Sequence, residues 1–340
     1  MNPVKKDILI GLAVLAVAIV LPFFLPGRYI IGQFTLFFIW ATVVTQWNLV
    51  FGIAGIFSLA QMAIFAFGGY VTAMLGLYGG WNLWAALPFG AVGAVIFSLI
   101  IGLACLRLKG PYVALLTLAI AQVMYLLIIT DTACFYMEGV TCRNFTGGTR
   151  GFAKYGDFGF RELLGYKFMA LGDYFLALVV LVLATAFSIF LSHGPLGAAF
   201  QALRDSPEYA VSRGISRFKF QMLVFAASAF FTGLAGGVYA GYYKVMGANT
   251  LYLQPLLFLL AMVVVGGLGR TWGPLLGGAA LMLADEALKD YPEYRYMGLG
   301  FALVIFVMVW PRGIVGALES ASNWFAARRN GESTVKAKAG

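Results

Sequence analysis

The residues able to make or break bonds are few here, and badly spaced for it. A single histidine, His193, occurs in 340 residues. It stands beside Gly194 and Pro195 at the end of an apolar run, where an interfacial helix terminus is the natural assignment. One histidine assembles neither a His-based metal site nor a nucleophile–histidine–carboxylate triad. Of three cysteines, Cys105 falls inside an apolar run. Cys134 and Cys142 lie in one long polar loop at no metal-ligand spacing; either they pair as a disulfide, which requires an oxidising compartment, or they stay free thiols. The segment GGLGRTWG at 266–273 lacks the lysine and the spacing that cradle phosphates. No catalytic residue, metal ligand or ATP hydrolysis is therefore expected of this chain.

Polarity within the apolar runs is neutral. TQWNLVFG carries Gln46 and Asn48, FSLAQMA carries Ser58 and Gln61, and LLTLAIAQV carries Thr117 and Gln122. Asn48, Ser58, Gln61, Thr117 and Gln122 form a candidate path for a small polar solute; the alternative use of such groups is helix-to-helix hydrogen bonding. Ion-driven carriers place charge in mid-membrane, whereas Asp285 and Glu286 fall near a span end.

The elements that carry these residues are membrane helices. The chain is 61% hydrophobic and 11% charged, with mean hydropathy +0.88, and windows long enough to cross a hydrocarbon core recur along it. About ten spans are expected, near 8–26, 29–51, 56–78, 83–106, 111–130, 172–192, 220–243, 252–269, 273–289 and 297–311. The third, rich in glycine and short polar side chains, also suits a broken element facing protein or water. Glycine runs such as GLAGGVYAG (233–241) and VVGGLG (264–269) suit close helix contact. The fold class is thus an all-α polytopic membrane protein, one transmembrane domain over 1–320 with a tail at 321–340. With both termini cytoplasmic, most of the basic residues fall inside, as the positive-inside rule requires. That accounts for the formal charge of +9 without nucleic acid. The polar loop 131–172 is then periplasmic and the segment 194–219 cytoplasmic.

That segment, GPLGAAFQALRDSPEYAVSRGISRFKF, is polar and helix-capable. Two helical turns end at the DSP interruption. Ser206 is placed as an N-cap, Pro207 at the first helical position and Glu208 at the positive end of the dipole, with Gly214 closing the second helix. Phe200, Leu203, Tyr209 and Val211 are expected to be available for docking, to lipid headgroups or to a cytoplasmic partner.

Residues 194–243, followed by VVVGGLGRTWGPLLGGA, resemble the permease subunits of branched-chain amino acid ABC importers of the LivM type. NLVFGIAGIFSLAQMAIFAFGGYVTAML (48–75), GPYVALLTLAIAQVMYLL (110–127) and FTGGTRGF (145–152) match in order, so the resemblance covers roughly 30–317. It implies a bacterial inner-membrane heterodimer with a LivH-type permease, two ATPase subunits that bind ATP and magnesium, and a periplasmic substrate-binding protein. It also implies a coupling helix over 197–214, carried here by Gly197, Leu203, Arg204, Asp205, Glu208, Ala210 and Gly214. Gln122 and Tyr125 stand where the family commonly has Glu and Arg, Arg150 where it has Asn, and Ala198 where it has Arg. These departures bear on solute identity, which such systems leave largely to the binding protein. The alternative is a self-sufficient channel for a small neutral solute such as urea.

Overall fold

Glycine, proline and short polar residues punctuate the apolar runs, and the helices end where these fall. The computed structural model describes residues 3–24, 27–106, 108, 110–138, 141–291 and parts of 297–317. The expected tail at 321–340 lies outside the described residues, and the tenth span lies only partly within them.

The helices are α1 Pro3–Phe24, α2 Arg28–Asn48 continued by a π turn at Leu49–Ile53, α3 Gln61–Gly79, α4 Leu83–Cys105 and α5 Pro111–Ile129. After the loop come α6 Phe160–His193, α7 Pro195–Asp205, α8 Pro207–Ser212, α9 Arg217–Tyr243, α10 Leu253–Gly266 and α11 Gly273–Ala287. Seven helices among the described residues are long and apolar enough to cross a membrane, from α1 to α6 and α9. The chain is therefore a polytopic helical membrane protein. The expected eighth and ninth spans are the short helices α10 and α11, with 14 and 15 residues.

Two boundaries differ from expectation. The third span was placed from 56, but residues 54–60 are not helical and α3 begins at Gln61. Gly55 takes a left-handed φ of 70°, and side chains satisfy part of the backbone that the break frees. Trp47 Nε1 donates to the Ser58 carbonyl at 2.8 Å, and the Leu59 N–H donates to Thr117 Oγ1 at 2.9 Å. Non-helical backbone at membrane depth survives only with such internal partners. The polar loop was drawn to 172, but α6 starts at Phe160, bends at Gly165, and crosses as Phe168–His193. The polar first turn around Arg161 and Glu162 hides that start in a hydropathy profile.

The core is a set of close helix contacts. α9 lies against α3 and α4, and a Cβ on Gly68 would stand 2.5 Å from the Gly233 Cα, one on Gly236 2.0 Å from the Phe65 carbonyl. Only glycine permits such separations, which is how membrane helices gain packing without a hydrophobic driving force. Outward residues such as Ile8, Leu12, Ile96, Ile100 and Leu183 are exposed, as a lipid-facing surface requires.

The loop end is capped by two small ribbons. β1 Tyr136–Glu138 pairs with β2 Thr141–Arg143, and β3 Phe152–Ala153 pairs with β4 Val245–Met246, which follows α9. Cys134 and Cys142 are joined across the first ribbon, Cα atoms 5.5 Å apart. Asp131 accepts from both the Thr146 N–H and its hydroxyl at 2.6 Å, fixing the turn before β3.

Candidate functional site: the α7–α8 hairpin and the break in the second helix

Proline at the first position of α7 and of α8 sets two short helices in sequence. Ser206 stands at the N-cap of α8 without a side-chain cap bond; its carbonyl instead accepts from the Ala210 N–H at 3.0 Å. Gly214, at φ 87°, ends the hairpin. From there α9 begins, capped by the Ser216 side chain.

The hairpin has an inner and an outer side. Phe200, expected to be free for docking, is 1% exposed: it fills a cluster with Leu49, Val50, Ile53, Leu191 and Val224. Periodicity marked its face as apolar; the partner for that face is in the same chain. Gly197 and Ala210 are also buried, and a Cβ on Gly197 would stand 2.1 Å from the Ser192 carbonyl. Leu203 is half-buried. Asp205, Glu208, Tyr209, Val211 and Gly214 are exposed. Arg213 donates to the Tyr209 hydroxyl at 2.7 Å, stiffening the exposed aromatic.

Arg204 joins the two sides. Its Nε donates to Asp205 Oδ1 and its Nη1 to the Gly52 carbonyl, both at 2.8 Å. The guanidinium holds the Asp205 carboxyl below the usual carboxylate range through that bond. The Arg204 stem fills the space where a side chain at Gly55 would lie, 2.2 Å from a Cβ built there. The hairpin is thus clasped to the interrupted end of α2.

The clasp continues into a second joint. Asn48 Oδ1 accepts from the Gly269 N–H at 2.8 Å, and its Nδ2 donates to the Arg270 carbonyl at 3.0 Å. Gly52 lies against Gly269, where a Cβ would stand 2.3 Å from the amide nitrogen. Residues 267–272 connect α10 to α11. At their far side Trp272 Nε1 donates to Asp7 Oδ1 at 3.1 Å, and His193 Nε2 lies 3.4 Å from Asp7 Oδ2. α1, the end of α6, the hairpin, the break and the α10–α11 turn are therefore linked by polar contacts at one end of the molecule.

The candidate path residues occupy several places. Asn48 sits in this joint, Ser58 lies within the break, and Thr117 on α5 braces it through the Leu59 N–H. Gln61 Nε2 donates to Thr232 Oγ1 on α9 at 2.5 Å. Gln122 is half-buried on α5. Gln46 spans to α6, where its Nε2 donates to the Ala184 carbonyl at 3.0 Å. Sequence reasoning missed Gly52, Gly55, Gln221 and Asp7; the Gly-x-x-Gly spacing in FGIAG was the available signal for the first two. Between the hairpin, residues 54–57, the start of α5 and the first turns of α9 lies a cavity of about 920 Å³, lined in part by Arg204, Glu208, Arg217 and Gln221.

Similarity to known proteins agrees with this architecture. Residues 29–309 match the family described as "Branched-chain amino acid transport system / permease component", and the chain belongs to that family of transport permease components. It is 28% identical to the high-affinity branched-chain amino acid transport system permease protein LivM of Escherichia coli, over 92% of this chain and 75% of that protein. LivM of Salmonella typhimurium is 27% identical over 91% and 75%. The LivH permease protein of Escherichia coli is 26% identical over 82% of this chain and 92% of its own. No solved structure gives a significant match.

Proposed function

We propose that this chain is the LivM-type half of a permease pair in an ATP-driven importer of the bacterial inner membrane, carrying branched-chain amino acids. The partners are a LivH-type permease, two ATPase subunits holding ATP and magnesium, and a periplasmic binding protein that docks at the loop end. The observation that carries this reading is the two-sided hairpin. Its outer face presents Tyr209 and Val211 to an ATPase subunit, and its inner face is tied through Arg204 to Gly52.

The mechanism follows from the contacts. Docking of the exposed face lets closure of the ATPase pair move α7–α8 as a unit. Arg204 and Phe200 pass that displacement to the π turn and to residues 54–60, a stretch without regular α-helical hydrogen bonds. Asn48 passes it on to the α10–α11 turn. Two-state rearrangement of a packed, polar joint is the usual means by which such a displacement reaches a distant site. A self-sufficient channel would give this clasp nothing to transmit.

Purification from native membranes in mild detergent tests the assembly. The account expects recovery with a second permease and two nucleotide-binding subunits, and ATPase activity that rises with leucine-loaded binding protein. Recovery of the chain alone, with passive solute flux in liposomes, would contradict it.

A further inference from the structure

Between the hairpin and the first turns of α9, the cavity of about 920 Å³ falls within the size range of small-molecule sites, and its lining holds four polar groups left uncommitted. Gln221 of α9 is 6% exposed, yet among the described residues its side-chain amide has no hydrogen-bond partner. The amide opens on the cavity and is not sealed from it, so water or a ligand meets it there. Arg217 makes one long bond, Nη2 to the Leu108 carbonyl at 3.4 Å, leaving most of its donor fork open. Glu208 has no ion-pair partner among the described residues. Arg204, by contrast, is spent on Gly52 and Asp205, and the Tyr209 hydroxyl on Arg213.

The free set is therefore one cation, one anion, one amide and the Ser206 hydroxyl, which makes no cap bond, set beside the apolar walls of Phe200, Phe220 and Val224. An anion entering would meet Glu208 and a cation would meet Arg217. A zwitterion with an aliphatic body satisfies both charges and the amide together.

We infer that this cavity binds a free aliphatic α-amino acid from the cytoplasmic side, its carboxylate toward Arg217, its ammonium toward Glu208 and Gln221 completing the hydrogen bonds. The inference rests on the proposed function, and gives the transported product a second role. The ligand sits between the hairpin and residues 54–57, across which Arg204 clasps Gly52. Occupied, the cavity holds the hairpin in one position, so accumulated product slows the cycle.

Proteoliposomes of the whole complex test this, with leucine-loaded binding protein in the lumen and ATP in the medium, so that only complexes with outward ATPase subunits turn over. Millimolar leucine added to the medium should lower ATPase activity several-fold. 4-Methylpentanoate, lacking the ammonium, and isopentylamine, lacking the carboxylate, should not. Gln221→Leu, judged against its own activity without added leucine, should need about five- to tenfold more leucine, the loss expected for one buried hydrogen bond. Wild-type complex insensitive to leucine overturns the inference. So does equal inhibition by either analogue, or an effect that follows the phosphatidylethanolamine content of the vesicle instead of leucine. Stimulation by lumenal loaded binding protein is read in the same vesicles. If it is present while medium leucine has no effect, only this inference falls; if it is absent, the functional reading falls with it.

Discussion

Arg204 Nη1 donates to the Gly52 carbonyl at 2.8 Å across 152 positions of sequence. The bond ends on the one stretch of α2 whose backbone departs from α-helical pairing. A side chain on an exposed hairpin thereby holds the least regular part of a buried helix, and the following expectations derive from that arrangement.

Val211 lies on the exposed face of the hairpin. Val211→Glu should leave membrane insertion and detergent melting unchanged, since surface substitutions usually shift stability by less than about 0.5 kcal/mol. It should lower recovery of the ATPase subunits in a pull-down. Recovery equal to wild type would place the docking face elsewhere.

Gly52 has no room for a methyl group, since its Cβ would meet both Asn48 Oδ1 at 2.2 Å and the Gly269 nitrogen at 2.3 Å. Gly52→Ala should destabilise by about 1–3 kcal/mol, the usual cost of overpacking, and lower the melting temperature of the purified permease. An unchanged melting temperature would show that the α2 and α10–α11 contact is loose.

How much of this was legible can be judged residue by residue. The DSP interruption at 205–207 and glycine at 214 announced the hairpin, because each acts through local backbone geometry. The glycines of 233–241 announced close packing for the same reason. The break at 54–60 was hidden inside an apolar window, since what satisfies it is Trp47 and Thr117, one 11 residues from Ser58 and the other 58 from Leu59. Phe200 was read as free because periodicity gives a face without its partner. Asp7, beside two lysines, carries no local signal of a partner, and only the fold brings Trp272 to it.

At the loop end, Lys244 Nζ donates to Asp157 Oδ2, and this bond holds the Asp157 carboxyl below its ordinary range. A depressed carboxylate pKa adds stability above the unfolded value of about 3.9 that is lost as pH falls through the folded value. The protection of amides in residues 152–159 and 244–247 against hydrogen exchange, relative to the unstructured rate at each pH, should therefore fall below about pH 4, and Asp157→Asn should remove that acid-dependent step. An acid step of equal size in the variant would assign it to another group.

The Cys134–Cys142 bond and the burial of Cys105 predict a labelling pattern. A membrane-impermeant maleimide applied to intact spheroplasts should leave the chain unmodified, and after mild reduction should add two labels. Labelling without reductant would show that the pair is open.

The central claim is that the Arg204 clasp transmits the ATPase stroke to the break in α2, and the ratio of leucine imported to ATP hydrolysed in proteoliposomes tests it most directly. Arg204→Gln should keep the complex assembled and its hydrolysis responsive to loaded binding protein. Leucine imported per ATP should fall roughly tenfold, the factor that corresponds to about 1.4 kcal/mol. A ratio equal to wild type, with uptake and hydrolysis scaling together, would contradict the account.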